Sequence, residues 1–136
     1  DAMTVRMTLD PASLDTIVAT NLHADILSDL AGALAGSLGV APTANIDPEG
    51  RFPSMFEPIH GSAFDITGRG IANPVATFWT ACQMLEHLGQ AAPAQRLMKA
   101  IEDVCAAGIM TPDVGGTSTT REVTDAVIGS IRGSNR

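Results

Sequence analysis

The chain alternates helix-like stretches with turn-rich interruptions. Asp1 to Leu9 has helical character, and Pro11 stops the run. Thr16 to Thr20 (TIVAT) is a β-branched run that predicts a short buried strand, and Asn21 can cap the helix after it. Leu22, Ile26, Leu27, Leu30, Leu34 and Leu38 then recur at helical spacing. That helix is expected to fade near Gly36 or Gly39, ahead of Pro42. Thr43 to Gly50 is polar and turn-rich, and Pro53 to Ile59 (PSMFEPI) reads as a short strand between prolines. His60 to Asn73 (HGSAFDITGRGIAN) holds three glycines with little periodic apolarity, which predicts a loop. Pro74 opens a helix to about Leu88, ended by Gly89, and Ala91 to Ala107 forms another, closed by Gly108. Thr111 to Thr119 (TPDVGGTST) is a second loop. Thr119 or Thr120 caps a last helix through Ile131, with Glu122 in its favourable first turn.

The pattern is helix-rich with few, short strands, too few for a complete parallel sheet. It predicts an incomplete α/β fold with its clearest seam at Ala41 to Phe52. The 136 residues are 45% apolar, enough for a core. A net charge of −7 argues against nucleic acid as a partner, since a phosphate backbone needs a basic face. There is no apolar run of about eighteen residues, so no membrane span is expected. No signal-peptide pattern opens the chain; it begins DAMTVRM, which reads as a piece of a longer chain or a processed one. Cys82 and Cys105 sit in apolar helical patterns without metal spacing. They are expected as buried free thiols, which suits the cytoplasm.

Two stretches carry chemistry. NLHADILSDL sets Asp25 and Asp29 four residues apart, hence on one helix face about 6 Å apart at Cβ. Like charges there repel, and a divalent cation such as Mg²⁺ or Mn²⁺, completed by substrate oxygens, would remove the repulsion. On the pair alone, a first-turn charge at Asp25 and a solvated Asp29 are the simpler account. His23 could be a third ligand, but two residues from Asp25 it faces elsewhere on the helix and reads rather as a surface or core residue. In HGSAFDITGRGIAN, Gly61, Gly68 and Gly70 allow backbone to approach a ligand. His60 can stack or hydrogen-bond, and Asp65 can accept from a ribose diol while repelling a 2′-phosphate. Asn73 can read an adenine edge through its amide. An ordinary surface loop would use glycines the same way.

Together, NLHADILSDLAGALAGSLG and FEPIHGSAFDITGRGIANP resemble the metal-dependent β-decarboxylating dehydrogenases, the isocitrate, isopropylmalate, tartrate and D-malate enzymes. RFPSMFEPIHGSA and PVATFWTACQMLEHLG are most similar to the tartrate and D-malate branch, and the resemblance runs from DAM to TPDVGG and the final helix. It implies an isocitrate/isopropylmalate dehydrogenase-like α/β fold, present as the C-terminal part of a two-domain molecule. Residues 1–44 would belong to the smaller dimer-forming, metal-binding domain and 45–136 to the cofactor domain. It implies a Mg²⁺ or Mn²⁺ site on Asp25 and Asp29 of one subunit and Asp1 of its neighbour in a homodimer. It implies an NAD loop carrying His60, Gly61, Ser62, Ala63, Asp65 and Asn73, with Asp65 favouring NAD over NADP. The implied substrate is a 2-hydroxy diacid, tartrate or D-malate, with isopropylmalate also in reach.

Two departures stand out. His23-Ala24 replaces the family's usual Phe-Gly, and Phe64 replaces its usual proline. The first is expected to alter the pocket near the metal, the second to give the loop more backbone freedom. The family's substrate arginines, catalytic tyrosine and catalytic lysine lie upstream of the DAM motif, and this chain has no tyrosine and only Lys99. No catalytic residue is therefore expected in it, and the isolated segment is expected to be inactive. The rival reading is a non-catalytic assembly module built on the Leu22 to Leu38 helix.

Overall fold

The computed structural model describes residues 1–133, which divide into two compact units, Asp1–Leu38 and Gly39 onward. In the first unit, α1 (Ala2–Leu9) is capped by the Asp1 carboxylate, which accepts from Ala2 N. A single 3₁₀ turn at Pro11–Ser13 comes next, anchored where Arg6 Nε donates to Ser13 Oγ at 3.0 Å. The second helix, α2 (Asn21–Leu34), starts one residue earlier than expected, with Thr20 rather than Asn21 in the N-cap position. Met7 is the buried side chain of α1, and it lines a cleft with Leu27 and Ala31 of α2.

Thr16 to Thr20 is not a strand. It runs without regular secondary structure, and Val18 is 98% exposed. β-branched residues favour the extended state only where a partner supplies ladder bonds, and no strand lies beside this run among the described residues.

The second unit is built on three helices, α3 (Val75–His87), α4 (Ala91–Ala106) and α5 (Thr120–Gly133), with α4 between the other two. Ala100 and Val104 of α4 meet Val123 and Val127 of α5, a spacing of one turn on each helix. Val75 and Cys82 of α3 meet Ile101 on the other flank of α4, and Phe78 packs against both clusters. Gly89 and Gly108 end α3 and α4 at φ 73 and 77. Each closes a paired C-terminal cap: Gly89 N to Glu86 O with Gln90 N to Leu85 O, and Gly108 N to Cys105 O with Ile109 N to Val104 O. Cys82 is buried in this core as expected, whereas Cys105 is only half-buried against it, and burial pushes both thiols up from their usual range.

A two-stranded antiparallel hairpin packs on α3: β1 (Pro42–Asn45) and β2 (Met55–Pro58), in register Thr43 to Glu57 and Ala44 to Phe56. The expected strand at Pro53 to Ile59 is thus present but shorter. Its partner lies partly in the Thr43 to Gly50 stretch, which reads as turn. Proline and polar residues hid β1, since pairing with β2 and packing on α3 outweigh local propensity.

Asp47 shapes the connection between the strands. Its carboxylate accepts from Glu49 N at 3.0 Å and from Arg51 N and Phe52 N at 2.8 Å. These bonds, that to Phe52 foremost, hold its pKa below the usual carboxylate range. A depressed folded pKa means the contribution is complete above the unfolded value and disappears as pH falls through the folded one. The amide protons of Glu49, Arg51 and Phe52 should therefore titrate together by NMR, with a midpoint below the ordinary carboxylate range. Asp47→Ala should remove that titration; three amides titrating independently of Asp47 would refute the account.

Candidate functional site

The two carboxylates singled out by sequence lie in the first unit. Asp25 and Asp29 are exposed, one turn apart on α2. Neither carboxylate is in an ion pair or accepts a hydrogen bond among the described residues. Their repulsion is uncompensated among the described residues, and both offer the hard oxygen donors that Mg²⁺ and Mn²⁺ take, so the pair fits such an ion. No three His, Cys, Asp or Glu side chains gather to hold a metal among the described residues. Asp1 stays at the α1 N-terminus as a cap and does not complete the pair within one chain. His23 lies in the first turn of α2, its Nδ1 3.0 Å from Thr20 Oγ.

The glycine loop lies in the second unit. His60 Nδ1 is 3.0 Å from Gly61 O, a carbonyl that can only accept. Ala63 has φ 42, the one positive value outside glycine among the described residues. Its carbonyl accepts from Ile66 N and Thr67 N, and Thr67 Oγ donates to Ser62 O and Ala63 O at 3.2 Å each. Phe64, 87% exposed, sits on this hydrogen-bonded turn. Asp65 is exposed and makes no hydrogen bond or ion pair among the described residues. At Gly61 a Cβ would meet nothing within 4 Å and φ is not positive, so neither packing nor conformation explains the glycine. The open space there is what close approach of a ligand would use.

Asn73 differs from its sequence reading. It is 8% exposed; its Oδ1 accepts from Val75 N at 3.0 Å, capping α3, and its Nδ2 donates to Asp113 Oδ2 at 3.0 Å. The side-chain amide is committed inside the protein. Asp113 belongs to the TPDVGG segment, which by its sequence is a plain loop. Its Oδ1 accepts from Thr111 Oγ at 2.6 Å, and Thr111 is 1% exposed. Gly116 N and Ser118 N bond back to Thr111 O and Met110 O. At the start of α5, Thr120 N donates to Gly70 O at 2.9 Å and Thr120 Oγ to Ala72 O at 2.5 Å. Thr119 and Glu122 form a reciprocal cap: Thr119 N to Glu122 Oε2 at 2.7 Å and Glu122 N to Thr119 Oγ at 3.2 Å. The T-x-x-E spacing signalled that cap; no local signal pairs positions 73 and 113, forty residues apart.

A family model described as isocitrate/isopropylmalate dehydrogenase matches residues 1–127. The chain belongs to this family. It is 82% identical over 99% of its length to a probable tartrate dehydrogenase/decarboxylase of Agrobacterium vitis, covering 38% of that protein. It is 47% identical over 93% of its length to the D-malate dehydrogenase [decarboxylating] of Escherichia coli, covering 37% of it. Among solved structures, isocitrate dehydrogenase from Methylococcus capsulatus superposes with a TM-score of 0.89 at 40% identity, over 96% of this chain and 39% of that one. The chain thus spans somewhat over a third of the length of its relatives and has the isocitrate/isopropylmalate dehydrogenase-like α/β fold in part. No helix among the described residues is long and apolar enough to cross a membrane.

Within this family fold, two glycines should behave oppositely. A Cβ at Gly116 would lie 1.9 Å from Met110 O, a main-chain atom. Gly116→Ala should cost about 3 kcal/mol or more in denaturant unfolding, whereas Gly61→Ala should stay within about 0.5 kcal/mol. Equal losses would show that the open space at Gly61 is not real.

Proposed function

We propose that this chain is the C-terminal part of an NAD-dependent, divalent-metal-dependent dehydrogenase that oxidises and decarboxylates a 2-hydroxy diacid. Tartrate or D-malate is the first choice of substrate, in line with the names of the relatives, and isopropylmalate the next. The observation that carries the metal reading is the pair Asp25 and Asp29, one turn apart on an exposed face and without a partner among the described residues. Asp1 of a second copy completes the donor set, which makes the enzyme a homodimer. The exposed side chains Leu22, Ile26 and Leu34 on α2 and Val5 and Leu9 on α1 support such an association. Residues 1–44 then serve dimerisation and metal binding and 45–136 serve the cofactor, in a cytoplasmic enzyme.

In this reading the roles divide by chemistry. A divalent cation held by Asp25, Asp29 and the second copy's Asp1 would supply Lewis acidity, lowering the pKa of a substrate hydroxyl and stabilising the charge that decarboxylation develops. NAD would supply the hydride acceptor. Gly61 gives the backbone room to approach the dinucleotide. Ser62 and Ala63 are fixed by Thr67, and Asp65 is free to accept from the ribose diol. His60 presents Nε2. Neither site holds a lysine or tyrosine of this chain: tyrosine is absent and Lys99 pairs with Asp103 on α4. Proton transfers are therefore assigned to residues outside it.

In the full-length protein, Asp25→Asn should weaken Mn²⁺ binding by calorimetry at least about tenfold, or 1.4 kcal/mol, and remove the metal dependence of turnover. An unchanged Mn²⁺ isotherm would sink the metal assignment and favour the assembly-module reading. Asp65→Lys should shift the ratio of kcat/KM for NAD over NADP toward NADP by about tenfold or more. A ratio that stays put would remove Asp65 from the ribose. The 136 residues alone should show no turnover of NAD.

A further inference from the structure

The TPDVGG segment is anchored by the buried Thr111 and tied to the glycine loop, yet it carries no group that the proposed chemistry uses. Hydrogen bonds join the exit of the glycine loop to the stretch from Thr111 to Thr120. They run from Asn73 to Asp113, from Thr120 N to Gly70, and from Thr120 Oγ to Ala72. The entry half of the loop is shaped by its own bonds, around Ala63 and Thr67. We propose that Asp113 is a positioning residue that, with Thr120, fixes the main chain of Gly70 to Asn73 as a preformed edge for the adenosine half of the cofactor. The proposal rests on the reading of this loop as the NAD loop.

The geometry explains why an acid stands at position 113. Asn73 must keep Oδ1 toward Val75 N to cap α3, which turns Nδ2 away from the cap and requires an acceptor there. Asp113 supplies it with one carboxylate oxygen and holds the other against the Thr111 hydroxyl. Thr111 is anchored in turn, because its carbonyl accepts from Gly116 N, and Gly116 has no room for a side chain. The rotamer of Asn73, and with it the orientation of the adjoining peptide, is set from the far side of the loop. Preorganising a binding edge in this way removes the ordering cost that a mobile loop would add on binding.

The experiment uses the full-length protein and separates the two halves of the cofactor, with ADP-ribose and nicotinamide mononucleotide as probes in calorimetry. Asp113→Ala should weaken ADP-ribose about tenfold or more while leaving nicotinamide mononucleotide and the KM for the diacid within about twofold. Asp113→Asn, which keeps a carbonyl oxygen for Asn73, should recover most of the affinity. Asn73→Ala combined with Asp113→Ala should lose little more than either alone, because the two act as one unit. Unchanged ADP-ribose affinity in Asp113→Ala overturns the proposal, and so does equal loss for both probes without rescue by Asp113→Asn, which a purely structural role would give. Should Asp113→Ala not fold, Thr120→Val carries the test: it should weaken ADP-ribose several-fold and spare nicotinamide mononucleotide, and no difference between the probes overturns the proposal. Asp65→Lys in parallel keeps the failures apart. If it shifts cofactor preference while Asp113→Ala and Thr120→Val leave ADP-ribose binding unchanged, the positioning role falls and the NAD reading stands. If the wild-type protein binds neither ADP-ribose nor NAD, both fall.

Discussion

Close packing of helices through alanine and valine is the constraint on which the second unit depends. Ala76 and Ala94 are fully buried and Ala100 nearly so, and such small side chains let helix backbones approach closely. Larger residues at these points would push the helices apart and pull the loop ends with them. The loop that leaves β2 is bonded on its exit side to the first residue of α5 and capped into α3 by Asn73. Its shape is therefore an outcome of how tightly the helices seat, which links the core to the candidate site.

The candidate site separates into parts with different physical character. The α2 carboxylates are exposed and unpaired among the described residues, a state that a helix tolerates only at some cost and that a bound cation would reverse. The glycine loop is the opposite. Its turns are internally hydrogen-bonded, its one positive φ outside glycine is held by neighbouring bonds, and its exit is fastened to a distant segment. One part leaves its charges open to solvent, and the other is internally bonded. That contrast suits the proposal of a metal shared between chains and of a nucleotide loop.

Much of this was legible in the sequence where signals are local. The helices announced themselves by apolar spacing, and Gly89 and Gly108 closed α3 and α4 as their positions implied. Non-local features were not legible. TIVAT has strand propensity but no paired neighbour among the described residues, while PTAN has little propensity and forms β1 because MFEP lies beside it. The glycine loop was recognisable by its composition and by resemblance. The commitment of Asn73 to Asp113 was not, because it joins positions forty residues apart through a hydrogen bond that leaves no periodic trace. The carboxylate pair was visible in the spacing alone; its lack of any partner needed coordinates.

The outward acid of the glycine loop has a consequence for descent. Asp65 contributes nothing to the turn that displays it, since that turn is tied by Thr67 and by carbonyls on either side. Replacements there leave the architecture intact, so lineages can sample new side chains at that one position without first acquiring compensating changes in the core. The scaffold absorbs selection for shape, and the tip is left open to selection for chemistry.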